Sequence, residues 1–206
     1  SMVEVYYYVP VEEVESAVEC GLKLSKWHNK EVNIEADRKK CMSALLNPKD
    51  DIEKYKSDSF RCVKLEVFSG YCYAADKYLY DVGLNHPEIM DLYYKSIIPV
   101  EKYTFGLYRL PECLVTSTVL GDQISILDKR LDSPVLFDNS EELYINNIIE
   151  DYKEKYPGFN DIMLYYFYCN LERKGKMRKI EDRGKSTVVF QDKETGRVFT
   201  IKKPGI

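Results

Sequence analysis

Residues 106–127 read GLYRLPECLVTSTVLGDQISIL, with Glu112 set between Pro111 and an apolar, β-branched run that predicts a strand. A carboxylate held rigidly on such a strand can stabilise a positive charge that develops beside it or grip a hydroxyl. Two simpler readings stand next to that one: a solvated charge at a strand edge, or an ion pair with Arg109, three residues earlier. The 18 tyrosines supply faces that can stack on a cationic ring. Arg38, Lys39 and Lys40 can meet phosphates, or form the wet face of an amphipathic helix. The window 172–185, ERKGKMRKIEDRGK, carries seven basic and three acidic side chains in a chain of net charge −4, so it is either a phosphate-facing patch or a solvated loop. No aromatic is interleaved there for base stacking.

Other chemistries are excluded. The six cysteines stand singly, none at zinc-site separations, and His28 and His86 are the only histidines, so no metal site is expected. The cysteines read as reduced core residues rather than a disulfide framework, and His28 beside Trp27 reads as packing or surface. No glycine-rich phosphate loop is present, which argues against a P-loop or Rossmann site. No apolar run reaches 18 residues and no charged-then-apolar leader is seen, so a soluble, cytoplasmic protein with no membrane partner is expected. Ser1-Met2 reads as a remnant of tag removal, which leaves residues 3–206 as one expected domain.

The elements that must position Glu112 follow from pattern. VEVYYYVP predicts a strand, and Val11, Val14, Val18 and Leu22 predict a helix stopped by Gly21. Residues 25–58 are polar and read as a long excursion, with EADRKKCMSALLNP helical. FRCVKLEVF and YCYAAD predict strands; DKYLYDVGL and PEIMDLYYKSI predict helices, the latter with Pro87 at its first position. The β pattern resumes from Tyr103 to Leu127. Two helices follow, SEELYINNIIEDYKEKY with a capping signature at Ser140 and NDIMLYYFYCNLERK beyond a Pro157-Gly158 break, then a hairpin around DKETG. The tyrosines between 144 and 168 read as core. The class is α+β.

Three of these segments, in this order, carry a resemblance. VYYYVPVEEVESAVECGL is similar to a strand of the form Tyr-His-x-Thr followed by a helix ending in Gly-Leu. GYCYAAD is similar to Gly-x-x-Tyr-x-x-Asp, and PECLVTSTVLGDQI to Glu-x-Leu-Val with a later Ile. Over roughly residues 3–128 the chain thus resembles the ADP-ribosyltransferase fold of diphtheria-toxin type, in particular its DarT-like and RNA 2'-phosphotransferase-like branches. The resemblance implies split antiparallel β-sheets with flanking helices, NAD as substrate, and residues 132–206 as a helical and hairpin extension. It implies Glu112 as the catalytic glutamate, Tyr73 against the nicotinamide ring, and Tyr7 where the family usually has a ribose-binding histidine. Tyr6, Tyr8, Arg38 and Ala74 fall at cofactor-binding positions.

Three functions are therefore expected to compete. The leading one is an NAD-dependent transferase of ADP-ribose, a glycosyltransferase, acting on an unidentified protein or nucleic-acid acceptor. A second is a module that binds NAD or ADP-ribose without cleavage, because Tyr7 replaces histidine. A third is nucleic-acid association through residues 173–185, with strong salt dependence.

Overall fold

In the computed structural model, which describes residues 1–127, 139–155, 161–182, 184 and 186–204, the class is α+β as expected. In chain order the elements are β1 (Met2–Pro10), α1 (Val14–Cys20), α2 (Leu24–Trp27), β2 (Lys30–Ile34), β3 (Asp37–Leu45), α3 (Ile52–Lys56), β4 (Phe60–Phe68), β5 (Cys72–Asp76), α4 (Lys77–Gly83), α5 (Pro87–Ser96), β6 (Ile98–Pro99), β7 (Pro111–Val115), β8 (Ile124–Ile126), α6 (Ser140–Lys155), α7 (Asp161–Arg173), β9 (Met177–Glu181), β10 (Thr187–Asp192) and β11 (Val198–Lys202). The chain forms two compact units, residues 1–143 and 144–206. The Pro157-Gly158 break and the interval 128–132 lie outside the described residues.

The first unit is built on an eight-stranded sheet in the order β6-β5-β7-β3-β1-β4-β8, with β2 added on β3. Every strand pairing in it is antiparallel. β1 pairs with β4 along its whole length, from Met2 opposite Phe68 to Pro10 opposite Phe60, but meets β3 at one position, Tyr6 opposite Leu45. The sheet therefore divides between β1 and β3. Val5, Val9, Met42, Ala44, Val63 and Leu65 are fully buried on one side of it. Burial of each of these valine, leucine and methionine side chains contributes about 1.5–3 kcal/mol, and the Ala44 methyl about 0.8 kcal/mol.

The segment expected to be helical, EADRKKCMSALLNP, is instead the turn of a hairpin and its second strand. Lys30, Val32 and Ile34 of β2 alternate inward, and Ile34 faces Asp37 across a two-residue loop of Glu35 and Ala36. Both loop residues have positive φ (52° and 69°), the backbone that matches strand twist in tight hairpins. Pairing of β3 with β7 then overrides the helix propensity of Ala, Lys and Leu. Residues 25–58 are thus no loop excursion, because β3 lies in the middle of the sheet. The β pattern expected from Tyr103 to Leu127 condenses to β7 and β8, with turns before and between them.

Gly21 ends α1 as the sequence predicts, with φ of +78°. A Cβ built there would lie 2.4 Å from the Val119 carbonyl oxygen, against which Leu22 makes its backbone bridge. Gly21→Ala should therefore lower stability by about 1–3 kcal/mol, read as a fall in urea midpoint at constant slope.

α4 starts at Asp76, whose carboxylate accepts the Tyr78 N–H at 3.1 Å while the residue is buried. Burial pushes its carboxyl from 3.8 up to about 7, against the backbone donors and Arg109. The folded value lies above the unfolded one, so this group's contribution is fully present below about pH 4 and is lost as pH rises through 7. A shift of this size is on the order of 4 kcal/mol. Asp76→Asn keeps the cap oxygen without the titration, so its melting temperature should vary less between pH 4 and 8 than that of the wild type.

In the second unit, α6 and α7 accompany the three-stranded sheet β11-β10-β9. Tyr168 is fully buried and stacks on Phe190 and Phe199 at 5.3 and 5.1 Å, so the tyrosines here include core residues as expected. The expected hairpin is β10 and β11. The basic window contains a strand not foreseen, β9, which pairs with β10; Met177 joins the core and Ile180 is buried while Arg178 stays exposed. Lys179 and Lys203 each lie 3.8 Å from Glu181, and Arg183 and Lys185 fall outside the described residues. At the start of α6, in the first unit, the Asn139 side chain caps Glu142 N–H, one residue earlier than expected. Ser140 instead donates through N–H and Oγ to Asp50, both at 2.8 Å.

Candidate functional site

Glu112 is fully buried on β7, between β3 and β5, so it is not a solvated charge at a sheet edge. Nor does it pair with Arg109. The Arg109 guanidinium, from the bend before the strand, instead reaches Glu141 and lies 5.2 Å over the Tyr78 ring. Pro111 opens the strand, a position where a missing N–H is tolerated.

The carboxylate is held by three side chains from three elements. Lys30 Nζ donates to Oε1 at 2.9 Å and to Oε2 at 2.8 Å, Ser43 Oγ donates to Oε2 at 2.7 Å, and Tyr93 OH donates to Oε1 at 2.5 Å. Burial first, and then the Glu112 charge, push the Tyr93 hydroxyl well above its ordinary value, so it remains a proton donor to the carboxylate. The Lys30 ammonium also sits 3.8 Å from the centre of the Tyr80 ring and 5.3 Å from that of Tyr93. A buried ammonium is thus boxed by one carboxylate and two aromatic faces, the combination that stabilises a desolvated cation.

Lys30, Ser43 and Tyr80 of this cluster line a cleft of about 230 Å³, and Glu112 and Tyr93 are buried beneath it. Tyr6 and Tyr8 of β1 line one side, Lys77, Tyr80 and Asp81 of α4 the other, Lys30, Ser43 and Leu45 the base, and Asp51 and Lys54 the α3 end. The two halves of the sheet diverge beyond the Tyr6–Leu45 pair, which is why a cleft opens there. Tyr8 is fixed by donating its hydroxyl to the Pro48 carbonyl at 2.7 Å. The cleft offers aromatic faces, three ammonium groups (Lys30, Lys54, Lys77) and two carboxylates (Asp51, Asp81), with the Glu112 carboxylate beneath.

Searches against protein-family models, curated proteins and solved structures returned no match to this chain.

The structure brings some of the expected site residues together and separates others. Glu112 lies under the cleft floor, and Tyr6 and Tyr8 line the cleft. Tyr73 is buried on the same sheet face as Glu112, since β5 pairs Ala75 with Glu112 and Tyr73 with Leu114. That is the diagonal position, about 7–8 Å between backbones; Lys39 Nζ lies 5.9 Å from its ring, and Tyr73 is not among the residues that line the cleft. The Tyr7 position contributes to the cleft wall, but its ring packs on the main core and meets Trp27 edge-on at 6.4 Å. Strand alternation places that ring on the face opposite Tyr6 and Tyr8. Arg38 is exposed on the hairpin, 3.9 Å from Glu31, so it is not on a helix, and Ala74 is buried opposite Cys113, on the face away from Glu112.

Lys30, Ser43, Tyr80 and Tyr93 were not foreseen. For Lys30 a signal existed: KEVNI puts a lysine at the inward parity of Val32 and Ile34. Nothing in the local pattern marks Tyr93, which reaches Glu112 from a helix 19 residues earlier in the chain.

Proposed function

We propose that this cleft takes the nicotinamide-ribose end of NAD and that the chain is an ADP-ribosyltransferase-like protein with Glu112 as its central charge. The observation that carries the reading is the fully buried carboxylate on a central strand, oriented by Tyr93 and Ser43 at the base of a tyrosine-lined cleft. The narrow β1–β3 pairing at Tyr6 and Leu45 supports it, since the resemblance implies split antiparallel sheets.

The chemistry follows from the residues. Breaking the bond between ribose C1′ and the nicotinamide nitrogen sends the electron pair to nicotinamide and leaves positive charge on the sugar. The acceptor nucleophile then bonds to C1′. A rigid, desolvated carboxylate beside C1′ favours that charge, and an aromatic wall such as Tyr80 supports a cation by about 0.5–2 kcal/mol. At about 230 Å³ the cleft is smaller than the roughly 300–1,000 Å³ of sites that enclose drug-sized ligands. One end of the dinucleotide would enter, with its phosphates near Lys54 and Lys77.

One observation favours a second reading, binding without cleavage: both oxygens of Glu112 are already engaged by Lys30. Nicotinamide release and NAD binding, measured together on the wild-type protein, separate the two. Release above the spontaneous rate supports the transferase, saturable binding without release supports the module, and absence of both refutes the proposal.

A further inference from the structure

Lys30 is a puzzle for any reading in which Glu112 meets substrate. Its side chain is 7% exposed and its ammonium contacts both carboxylate oxygens. The same ammonium fills the space between Glu112 and the Tyr80 ring, which is where a cationic sugar would have to sit. Its stem enters from the first residue of β2, at the cleft base, and Asn29 and Lys30 both line the cleft. A four-carbon stem with a compact charge can swing between partners at little steric cost.

We propose that Lys30 is a positioning residue that blocks the site in its resting state: an internal counter-cation that must leave Glu112 before an NAD-type ligand can engage the carboxylate. This inference rests on the NAD reading above. The ligand's phosphates give the displaced ammonium a new anionic partner, so entry of a phosphate-bearing ligand and release of the carboxylate are one exchange. Breaking the Lys30–Glu112 pair is then part of every binding event and weakens apparent affinity in proportion.

The consequence separates this role from a purely structural ion pair. In Glu112→Gln, Lys30 has no carboxylate to leave, so NAD should bind at least about tenfold more tightly than to the wild type, although Glu112 itself is gone. Lys30→Met, which keeps the stem, should also bind more tightly. If Glu112 merely binds the ligand, or the pair merely holds the fold, affinity in Glu112→Gln falls or stays level.

The experiment is calorimetric titration of NAD into wild type, Glu112→Gln, Lys30→Met and the double variant Lys30→Met/Glu112→Leu, each checked for a cooperative thermal transition. The double variant removes both charges and guards against failure of a single variant to fold. Tighter binding in the folded variants is the expected result. Measurable wild-type binding with equal or weaker binding in those variants overturns the role of Lys30. Absence of binding by wild type and all variants overturns the NAD reading and this inference with it.

Discussion

Glu112→Gln should lower nicotinamide release by about 10²–10³-fold, the range seen when one preorganised charge-stabilising group is removed from an active site. The substitution preserves shape: the single carbonyl oxygen of glutamine can still accept from Tyr93 OH while its amide donates to Ser43 Oγ, so the side chain stays under the cleft floor. What disappears is the full negative charge opposite a cation that exists only in the transition state. The loss should therefore fall on kcat with KM not raised, because an interaction made only in the transition state lowers turnover without weakening the ground state. A large rise in KM at unchanged kcat would instead make Glu112 a ground-state contact. Residual release equal to that of the wild type would remove Glu112 from the chemistry altogether.

Lys30→Ala is expected to be the most destabilising single change in the cleft, by about 3–5 kcal/mol, because it strands a fully buried carboxylate without its counter-charge. Against a typical domain stability of about 5–15 kcal/mol that is a large fraction. The Coulomb attraction of the pair is not its net worth, since both ions were taken from water to form it. Removing both should hence cost less than removing one, and Lys30→Met/Glu112→Leu should recover much of the loss. Urea unfolding of Lys30→Met, Glu112→Leu and the double that combines them closes the cycle. Additive losses would mean that the two residues do not act as a pair.

Much of the frame was legible in the sequence because its signals are local. Alternation in FRCVKLEVF, the Pro87 start of α5 and the Gly21 stop of α1 each depend on a few adjacent residues. The hairpin β2–β3 was not legible, because Ala, Lys and Leu favour helix locally and the decisive contacts are with β7, some 70 positions on. The turn is also made by Glu35-Ala36, which lack the Asn-Gly or Asp-Gly composition that marks such turns. The site divides in the same way. A glutamate at the head of an apolar run was conspicuous, but its partners come from β2, β3 and α5, so no window of sequence contains them. Tyr7 shows what parity adds: it contributes to the cleft wall, yet its ring packs on the main core beside Trp27.

The most direct test of the cleft as the nucleotide site is an NMR titration of the uniformly labelled protein with NAD. Saturable shifts centred on Tyr6, Tyr8, Lys30, Ser43 and Tyr80 are the predicted result, whichever of the two readings of turnover holds. Shifts confined to residues away from these five, or no shifts at millimolar NAD, would contradict the account.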